Sequence, residues 1–146
     1  MSAIRQILEN RDFYFFTPEK SVFDAAKYMA EKNVGAVCVL EGDRLVGILS
    51  ERDIMTRVVA PGRDPKTTRV GDVMTPNPVV VDASESYENC IRMMKTANFR
   101  HLPVVDQDKL LGLLSLRDLL QVDISEKDDE IRMMRAYIHF VPPGKA

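Results

Sequence analysis

The chain contains an internal repeat, and this feature constrains its fold more than any other. Residues 16–54 and 81–119 align at a constant offset of 65 without a gap, and 11 of the 39 aligned positions are identical. Chance matching at ordinary amino-acid usage would give about 2 or 3 identities. A repeat of this kind predicts two similar units, so we expect a pseudo-symmetric structure with a cleft between the copies.

Apolar runs and turn residues follow the same order in both copies and predict a β-α-β-β-α unit twice. In the first copy the five elements are predicted over 13–16, 17–33, 36–40, 44–49 and 50–59. In the second copy they are predicted over 79–81, 82–98, 101–105, 109–114 and 115–122. Thr17 is the predicted N-cap of the first helix, and Asp82 with Glu85 is a predicted capping box for its counterpart.

Segments outside the repeats predict two more helices and a linker. Residues 1–12 have an amphipathic pattern, and the polar stretch 60–69 contains two prolines and a glycine. A terminal helix is predicted over 126–140. Its apolar face would be made by Ile131, Met134 and Ile138.

The predicted fold class is α/β (α+β), with two pseudo-symmetric repeats packed sheet-to-sheet and a C-terminal helix. Each half has about 65 residues, which is marginal for independent stability, so the halves are expected to pack on each other. The predicted divisions are 1–66 for the first repeat, 67–124 for the second, and 125–146 for the C-terminal helix and tail.

Charge and composition weigh against several functional classes. A net charge of −2 does not resemble the basic footprint of a nucleic-acid-binding protein. The two cysteines, Cys38 and Cys90, lie in apolar contexts typical of buried thiols in a reducing compartment. The spacing of these cysteines and the two histidines does not suit a zinc site, so no metal is expected. We see no signal peptide and no apolar stretch of about 20 residues, and we expect a cytoplasmic protein that does not bind membranes.

The Ser-x-x-Asp sequence at the end of the third strand of each copy is the first candidate site. Ser50 with Asp53, and Ser115 with Asp118, lie at predicted strand-to-helix junctions. One interpretation is a helix start, in which Ser caps and Asp returns a hydrogen bond. A carboxylate beside a helix N-terminus can also accept both hydroxyls of a ribose, as in dinucleotide-binding folds. One group can serve both roles.

Arg100 and His101, which directly precede a buried strand, are the second candidate. Arginine can bind a phosphate with two hydrogen bonds, and histidine adds a pH-sensitive donor. The alternative is a solvated arginine with a surface histidine. No nucleophile with a positioned base, metal cluster or phosphate-binding glycine loop is visible, so the chain is not expected to be an enzyme.

The paired copies resemble tandem CBS (cystathionine-β-synthase) domains, which together form a Bateman module. The resemblance is carried by the segments 47–53 and 112–118, by Val-Gly-Asp-Val-Met-Thr-Pro at 70–76 and by 99–105. It implies that adenosine-containing ligands bind in two pseudo-equivalent clefts, with the motif aspartate on the ribose hydroxyls. The expected ligands are AMP, ADP, ATP or NAD, with S-adenosylmethionine less favoured because Arg100 and His101 suit a phosphate.

Carried over by position, the resemblance assigns residues to each cleft. The first cleft would use Ser50, Arg52, Asp53, Thr75, Asn77, Val79, Arg100, His101, Leu102 and Pro103. The second cleft would use Phe13, Tyr14, Val34, Gly35, Ala36, Val37, Ser115, Arg117 and Asp118. Only the first cleft has the Arg100-His101 pair, so it is expected to take the phosphorylated ligand. The second is expected to bind weakly, or to prefer a ligand whose phosphate is held by another basic residue, such as Lys20, Arg52 or Arg117.

The expected function is a regulatory one. A nucleotide bound between the copies would shift one against the other and pass the change to a separate, unidentified effector protein, or alter self-association. A homodimer is expected, because a module of two copies leaves apolar helical surface uncovered. The alternative is a scaffold for protein–protein interaction or dimerisation without a working ligand site, in which the Ser-x-x-Asp motifs serve as caps alone.

Overall fold

The helices and strands follow the predicted order. The computed structural model of the chain describes residues 4–9 and 11–139. Its elements are α1 (Arg5–Leu8), β1 (Phe15–Phe16), α2 (Val22–Lys32), β2 (Ala36–Glu41), β3 (Arg44–Ser50), α3 (Glu51–Ile54), α4 (Val70–Val73), β4 (Thr75–Pro76), β5 (Val81–Asp82), α5 (Tyr87–Ala97), β6 (His101–Asp106), β7 (Lys109–Ser115) and α6 (Leu116–His139). Helix α3 continues as a π-helical turn over Met55–Val59. The mixed α/β class and the twofold β-α-β-β-α order are confirmed.

Each repeat builds its own sheet with the same register. In the first sheet β1 pairs in parallel with β2, which pairs antiparallel with β3, and β4 is added at the far edge. The second sheet has the order β5-β6-β7, with the same parallel and antiparallel pairings. Both hairpins shift register at the equivalent step, Val39/Leu40 and Val104/Val105. The two sheets meet through β2 and β7.

The first helix of each repeat starts later than the sequence pattern predicts. Ser21 caps α2 by accepting from the Asp24 amide, and Ser86 caps α5 by accepting from the Asn89 amide, both at 3.2 Å or less. The predicted caps at Thr17 and at Asp82 with Glu85 are therefore wrong. The C-terminal ends at Asn33 and Asn98 are confirmed, since both residues adopt a left-handed conformation with φ near 55°.

The segments that precede the repeats, which we call the leading segments (4–11 and 70–77), are exchanged between the halves. Ile4 is buried in the core of the second repeat, and its amide donates to the Glu85 carbonyl at 3.1 Å. Val70 is buried in the core of the first repeat, and its amide donates to the Lys20 carbonyl at 2.8 Å. Each half thus completes the core of the other, which explains why the two pack as one body.

One continuous helix, α6, ends the described chain. The sequence predicts a break between 115–122 and 126–140, and this break is wrong because the intervening residues contain neither glycine nor proline. Phe140 and the rest of the predicted tail to 146 lie outside the described residues, as do residues 1–3 and Asn10 of the predicted helix over 1–12. Among the helices of the described ranges, none is both long and apolar enough to cross a membrane.

Candidate functional site

Both Ser-x-x-Asp motifs form reciprocal caps at helix starts. The Ser50 hydroxyl accepts from the Asp53 amide at 3.2 Å, and Asp53 Oδ2 accepts from the Ser50 amide at 3.0 Å. Ser115 and Asp118 repeat this arrangement at 3.1 and 3.0 Å. The helix-start interpretation is confirmed in both copies. The cap uses one acceptor position on Oδ2 of each carboxylate. The remaining acceptor positions can therefore bind other groups, and their partners differ between the two copies.

The Asp53 carboxylate is enclosed by the leading segment of the second repeat. Its Oδ1 accepts from the Thr75 hydroxyl at 3.0 Å and lies 3.9 Å from a guanidinium nitrogen of Arg57. The same Arg57 nitrogen donates to the carbonyls of Val73 and Met74 at 3.0 and 2.9 Å. Only 6% of Asp53 is exposed. This carboxylate therefore serves mainly to tie α3 to the segment 73–75.

The Asp118 carboxylate instead faces an open cleft and holds an arginine. Arg11 Nη1 donates to Oδ2 and Nη2 to Oδ1, each at 3.0 Å, which is the bidentate arrangement of a guanidinium on a carboxylate. Burial raises the pKa of the Asp118 carboxyl, but the hydrogen bonds from Arg11 and the Ser115 amide outweigh it and hold that pKa below its ordinary value. Asp118 is thus an ionised carboxylate on the cleft wall.

The cleft lies between the two repeats and has a volume of about 1340 Å³. This volume exceeds the roughly 300–1,000 Å³ typical of small-molecule sites. Its lining includes every residue that the sequence assigned to the second cleft, from Phe13 and Tyr14 to Arg117 and Asp118. Arg100 and His101, which the sequence grouped with Asp53, also line it. The structure therefore brings the basic pair and Asp118 into one cavity.

His101 lies at the seam between the repeats. A Cβ atom built on Gly35 would come within 3.3 Å of His101 Nε2 and 2.5 Å of Glu51 Oε1, so glycine leaves room for both side chains at the seam. Burial lowers the pKa of His101 below its ordinary value, and the charge of Arg100 adds to that shift. The carboxylates of Glu51 and Asp118 oppose the shift without cancelling it. The imidazole is thus held neutral more readily than a solvated one.

Aromatic side chains form another part of the cleft wall. The rings of Tyr14 and Tyr28 stack with centroids 4.7 Å apart, and Phe16 packs edge-on to both. Burial raises the pKa of the Tyr28 hydroxyl, and the neighbouring Tyr14 and Asp12 add to the effect. Tyr14 remains 52% exposed and lines the cavity, so part of this cluster is accessible from the cleft.

The other residues assigned to the first cleft do not join this cavity. Leu102 and Pro103 are buried in the second half, and Val79 lines a separate groove of about 320 Å³ beside α5. Among the described residues, Ser50, Arg52, Asp53, Thr75 and Asn77 are absent from the lining of the large cleft. Asn77 adopts φ 50° and donates its amide to the Val46 carbonyl at 3.3 Å.

A family model of the CBS domain matches residues 4–60 and 70–125. The chain belongs to the CBS-domain family. It is 32% identical to CBSX3, a mitochondrial CBS domain-containing protein of Arabidopsis thaliana, over 84% of this chain and 62% of that relative. The chain therefore spans less than two thirds of the length of that curated relative.

Solved structures with the same fold agree with this assignment. A CBS-domain protein from Burkholderia ambifaria MC40-6 superposes with a TM-score of 0.80 at 40% identity, covering 85% of this chain and 95% of its own. CBSX2, solved in complex with AMP, superposes with a TM-score of 0.72 at 28% identity, covering 87% of this chain and 99% of its own. The two sheets and their helices thus have the fold of a CBS pair.

Several lining residues of this cleft were missed by sequence reasoning, among them Arg11, Tyr28 and Glu51. Glu51 had a usable signal, since it lies inside the first Ser-x-x-Asp motif. Tyr28 had a weaker one, because it precedes the buried Met29 on α2. Arg11 had none, because it lies before the aligned repeat. Within the described part of the chain, no cluster of three or more His, Cys, Asp or Glu is arranged to hold a metal ion.

Proposed function

We propose that this CBS pair is a regulatory module that binds an adenosine-containing nucleotide, AMP, ADP, ATP or NAD, in the cleft lined by Asp118. One observation carries the proposal. A single cavity between the repeats combines a poised carboxylate, a basic pair at 100–101 and an exposed aromatic face at Tyr14.

These three features match the three parts of a nucleotide. An aromatic ring such as Tyr14 can stack on a flat base. A carboxylate such as Asp118 can accept both hydroxyls of a ribose, the role that an acidic residue has in dinucleotide-binding folds. An arginine such as Arg100 can bind a phosphate through two hydrogen bonds, and each charge-assisted contact contributes about 1.5–3 kcal/mol.

The relative CBSX2 has been solved with AMP, which supports this ligand class for the present chain. The charge of Arg100 favours ligands with a phosphate over S-adenosylmethionine. We further propose that Asp118, rather than Asp53, holds the ribose, because Asp53 is almost fully enclosed. The first-cleft assignment of Arg100 and His101 is thereby replaced, in this proposal, by their grouping with Asp118.

Signalling would follow from the position of the cleft. Val34–Val37 belong to the first repeat and Ser115–Asp118 to the second, so one ligand would touch both halves. A ligand that binds one relative arrangement more tightly shifts the population toward it. Self-association through the exposed apolar residues of α6, such as Met133 and Met134 at 73% and 63% exposure, would carry the shift to a second copy or an effector protein.

Native mass spectrometry of gently purified protein, followed by calorimetric titration with AMP, ATP, NAD and S-adenosylmethionine, tests the proposal. We expect AMP or a related nucleotide to bind, and Arg100→Gln to weaken it by about tenfold or more. Arg52→Gln is the matched control, since Arg52 is an exposed arginine that does not line the cleft within the described residues. It should leave the affinity within about twofold.

Three outcomes would contradict the proposal. Absence of binding by every adenine ligand would favour the scaffold alternative. Equal losses in Arg100→Gln and Arg52→Gln would place the phosphate elsewhere. Turnover of ATP or NAD by the purified protein would make it an enzyme rather than a sensor.

Sedimentation velocity, with and without nucleotide, tests the homodimer in the same preparations. The cytoplasmic location predicted from the sequence stays a prediction.

A further inference from the structure

We propose that Arg11 competes with the ligand for Asp118, and that this internal competition makes the cleft select phosphorylated nucleosides over unphosphorylated ones. The inference rests on the proposed function, since it concerns the same carboxylate. It goes further by giving a specificity-determining role to a residue outside the repeats. Arg11 lies in the leading segment of the first repeat, next to Phe13 and Tyr14 of the cleft wall.

The hydrogen-bond capacity of Asp118 shows why Arg11 and a ribose exclude each other. A carboxylate offers about four acceptor positions. The Ser115 amide takes one, and the two Arg11 nitrogens take one on each oxygen. A ribose diol needs two more, also one on each oxygen. The diol and the guanidinium therefore compete for the same sites, and the sugar binds only if Arg11 moves away.

The ion pair is placed so that it can open. The side chain of Arg11 is 43% exposed and that of Asp118 is 18% exposed. A partly exposed ion pair is weaker than a fully buried one, because water can replace the partner. Arg11 is also outside both apolar cores. A ligand can therefore displace it without disturbing the packing of either repeat.

The displaced guanidinium explains the selection for phosphate. Arg11 and Arg100 line the same cavity, so a guanidinium displaced from Asp118 stays within the cavity that receives the phosphate. Guanidinium and phosphate form bidentate, charge-assisted hydrogen bonds. The ribose of either ligand displaces Arg11 from Asp118. AMP then offers Arg11 a new anionic partner, its phosphate. Adenosine has no phosphate, so the displaced guanidinium is left in water.

The chain supplies a matched control in Arg5. This arginine belongs to the same leading segment and also pairs with the second repeat, through Asp106 at 2.8 Å. In the described part of the chain it does not line the cleft. Arg5→Ala therefore weakens the attachment of the leading segment without changing what Asp118 can accept.

Calorimetric titration of wild type, Arg11→Ala and Arg5→Ala with adenosine and with AMP tests the inference. Arg11→Ala should bind adenosine about threefold to tenfold more tightly than wild type. It should gain less for AMP, so that the preference for AMP over adenosine falls by about threefold or more. Arg5→Ala should leave both affinities within about twofold. Circular dichroism and urea unfolding check that each variant is folded.

The outcomes separate this inference from the proposed function. AMP binding by wild type with unchanged or weaker adenosine binding in Arg11→Ala overturns the competition and leaves the proposed function standing. An equal gain for adenosine and AMP overturns the selection for phosphate. The same gain in Arg5→Ala overturns the role of Asp118, since it would reflect the attachment of the segment. Absence of AMP and adenosine binding in wild type and Arg11→Ala overturns the proposed function and this inference with it.

Discussion

Asp53 and Asp118 occupy equivalent positions in the two repeats, yet their carboxylates have different surroundings. Both return a hydrogen bond to the serine that caps their helix, at 3.0 Å in each case. Beyond the cap, Asp53 is enclosed by Thr75 and only 6% exposed, whereas Asp118 lines the cleft and holds Arg11. The same motif is thus a structural tie in one repeat and a cleft-lining anion paired with Arg11 in the other.

The difference comes from the leading segments rather than from the repeats. In each half, the motif aspartate is met by the segment that follows the short helix packed on that half. After α4 this segment pairs as β4 with β3, which brings the short side chain of Thr75 against Asp53. After α1 it carries Arg11, whose long side chain reaches Asp118 from the cleft. Two similar motifs therefore acquire different roles through their non-repeated neighbours.

The largest expected effect that tests this comparison is on ligand affinity. Asp118→Asn should weaken AMP binding by about tenfold to a hundredfold, because the ribose loses a charged acceptor. Asp53→Asn should change the affinity by less than about threefold, because that carboxylate is enclosed. Calorimetric titration measures both constants. An equal or larger loss in Asp53→Asn would break the comparison and would favour the cleft that the sequence alone assigned to the phosphorylated ligand.

A smaller effect is expected on stability, and its order is reversed. Asp53→Ala should lower the free energy of unfolding by about 2 kcal/mol, since it removes both the cap and the hydrogen bond from Thr75. Asp118→Ala should lower it by about 1 kcal/mol, since Arg11 is free to return to water. Urea unfolding measures both.

Ser50→Ala and Ser115→Ala are the matched controls for this stability difference, because each removes a serine cap and leaves the aspartate in place. Their costs should be similar, at about 1 kcal/mol each. Suppose that Asp118→Ala and Asp53→Ala lowered the free energy of unfolding equally, and that the two serine variants also did so. The enclosure of Asp53 by Thr75 would then add nothing measurable to stability.

Much of the fold could be predicted because its signals are local. The strand pairs and the caps at Ser50 and Ser115 depend on residues a few positions apart, and both copies show the same pattern. The missed caps at Ser21 and Ser86 are also local and are an identical pair in the alignment. They were overlooked because Thr17-Pro18 and Asp82-x-x-Glu85 offer the same chemistry a few residues earlier.

The grouping of the candidate site could not be predicted, because it depends on tertiary structure. The exchange of leading segments between the halves decides which aspartate is covered, and no pattern within either segment encodes it. The offset of 65 relates the repeats, whereas Ile4 and Val70 occupy equivalent places 66 residues apart. Arg11 lies before the aligned repeat and corresponds at this offset to Asn77, a shorter and uncharged residue, so its contact with Asp118 could be found only from the structure.

The smallest expected effect concerns the pH dependence of His101, which lies at the seam beside the Asp118 cleft. Burial lowers the pKa of its imidazole below the ordinary 6.5, with Arg100 adding to the shift and Glu51 and Asp118 opposing it. As pH falls through 6.5, the unfolded chain binds a proton that the folded chain does not yet bind. Stability is therefore lost on lowering the pH, until the lowered pKa of the folded state is also passed.

His101→Gln should remove this component, so that stability falls less between pH 8 and pH 5.5 than in wild type, as measured by urea unfolding at both values. His139→Gln is the control, because it deletes the other of the two histidines in the chain. A slope that His101→Gln leaves unchanged would mean that the imidazole is already solvated.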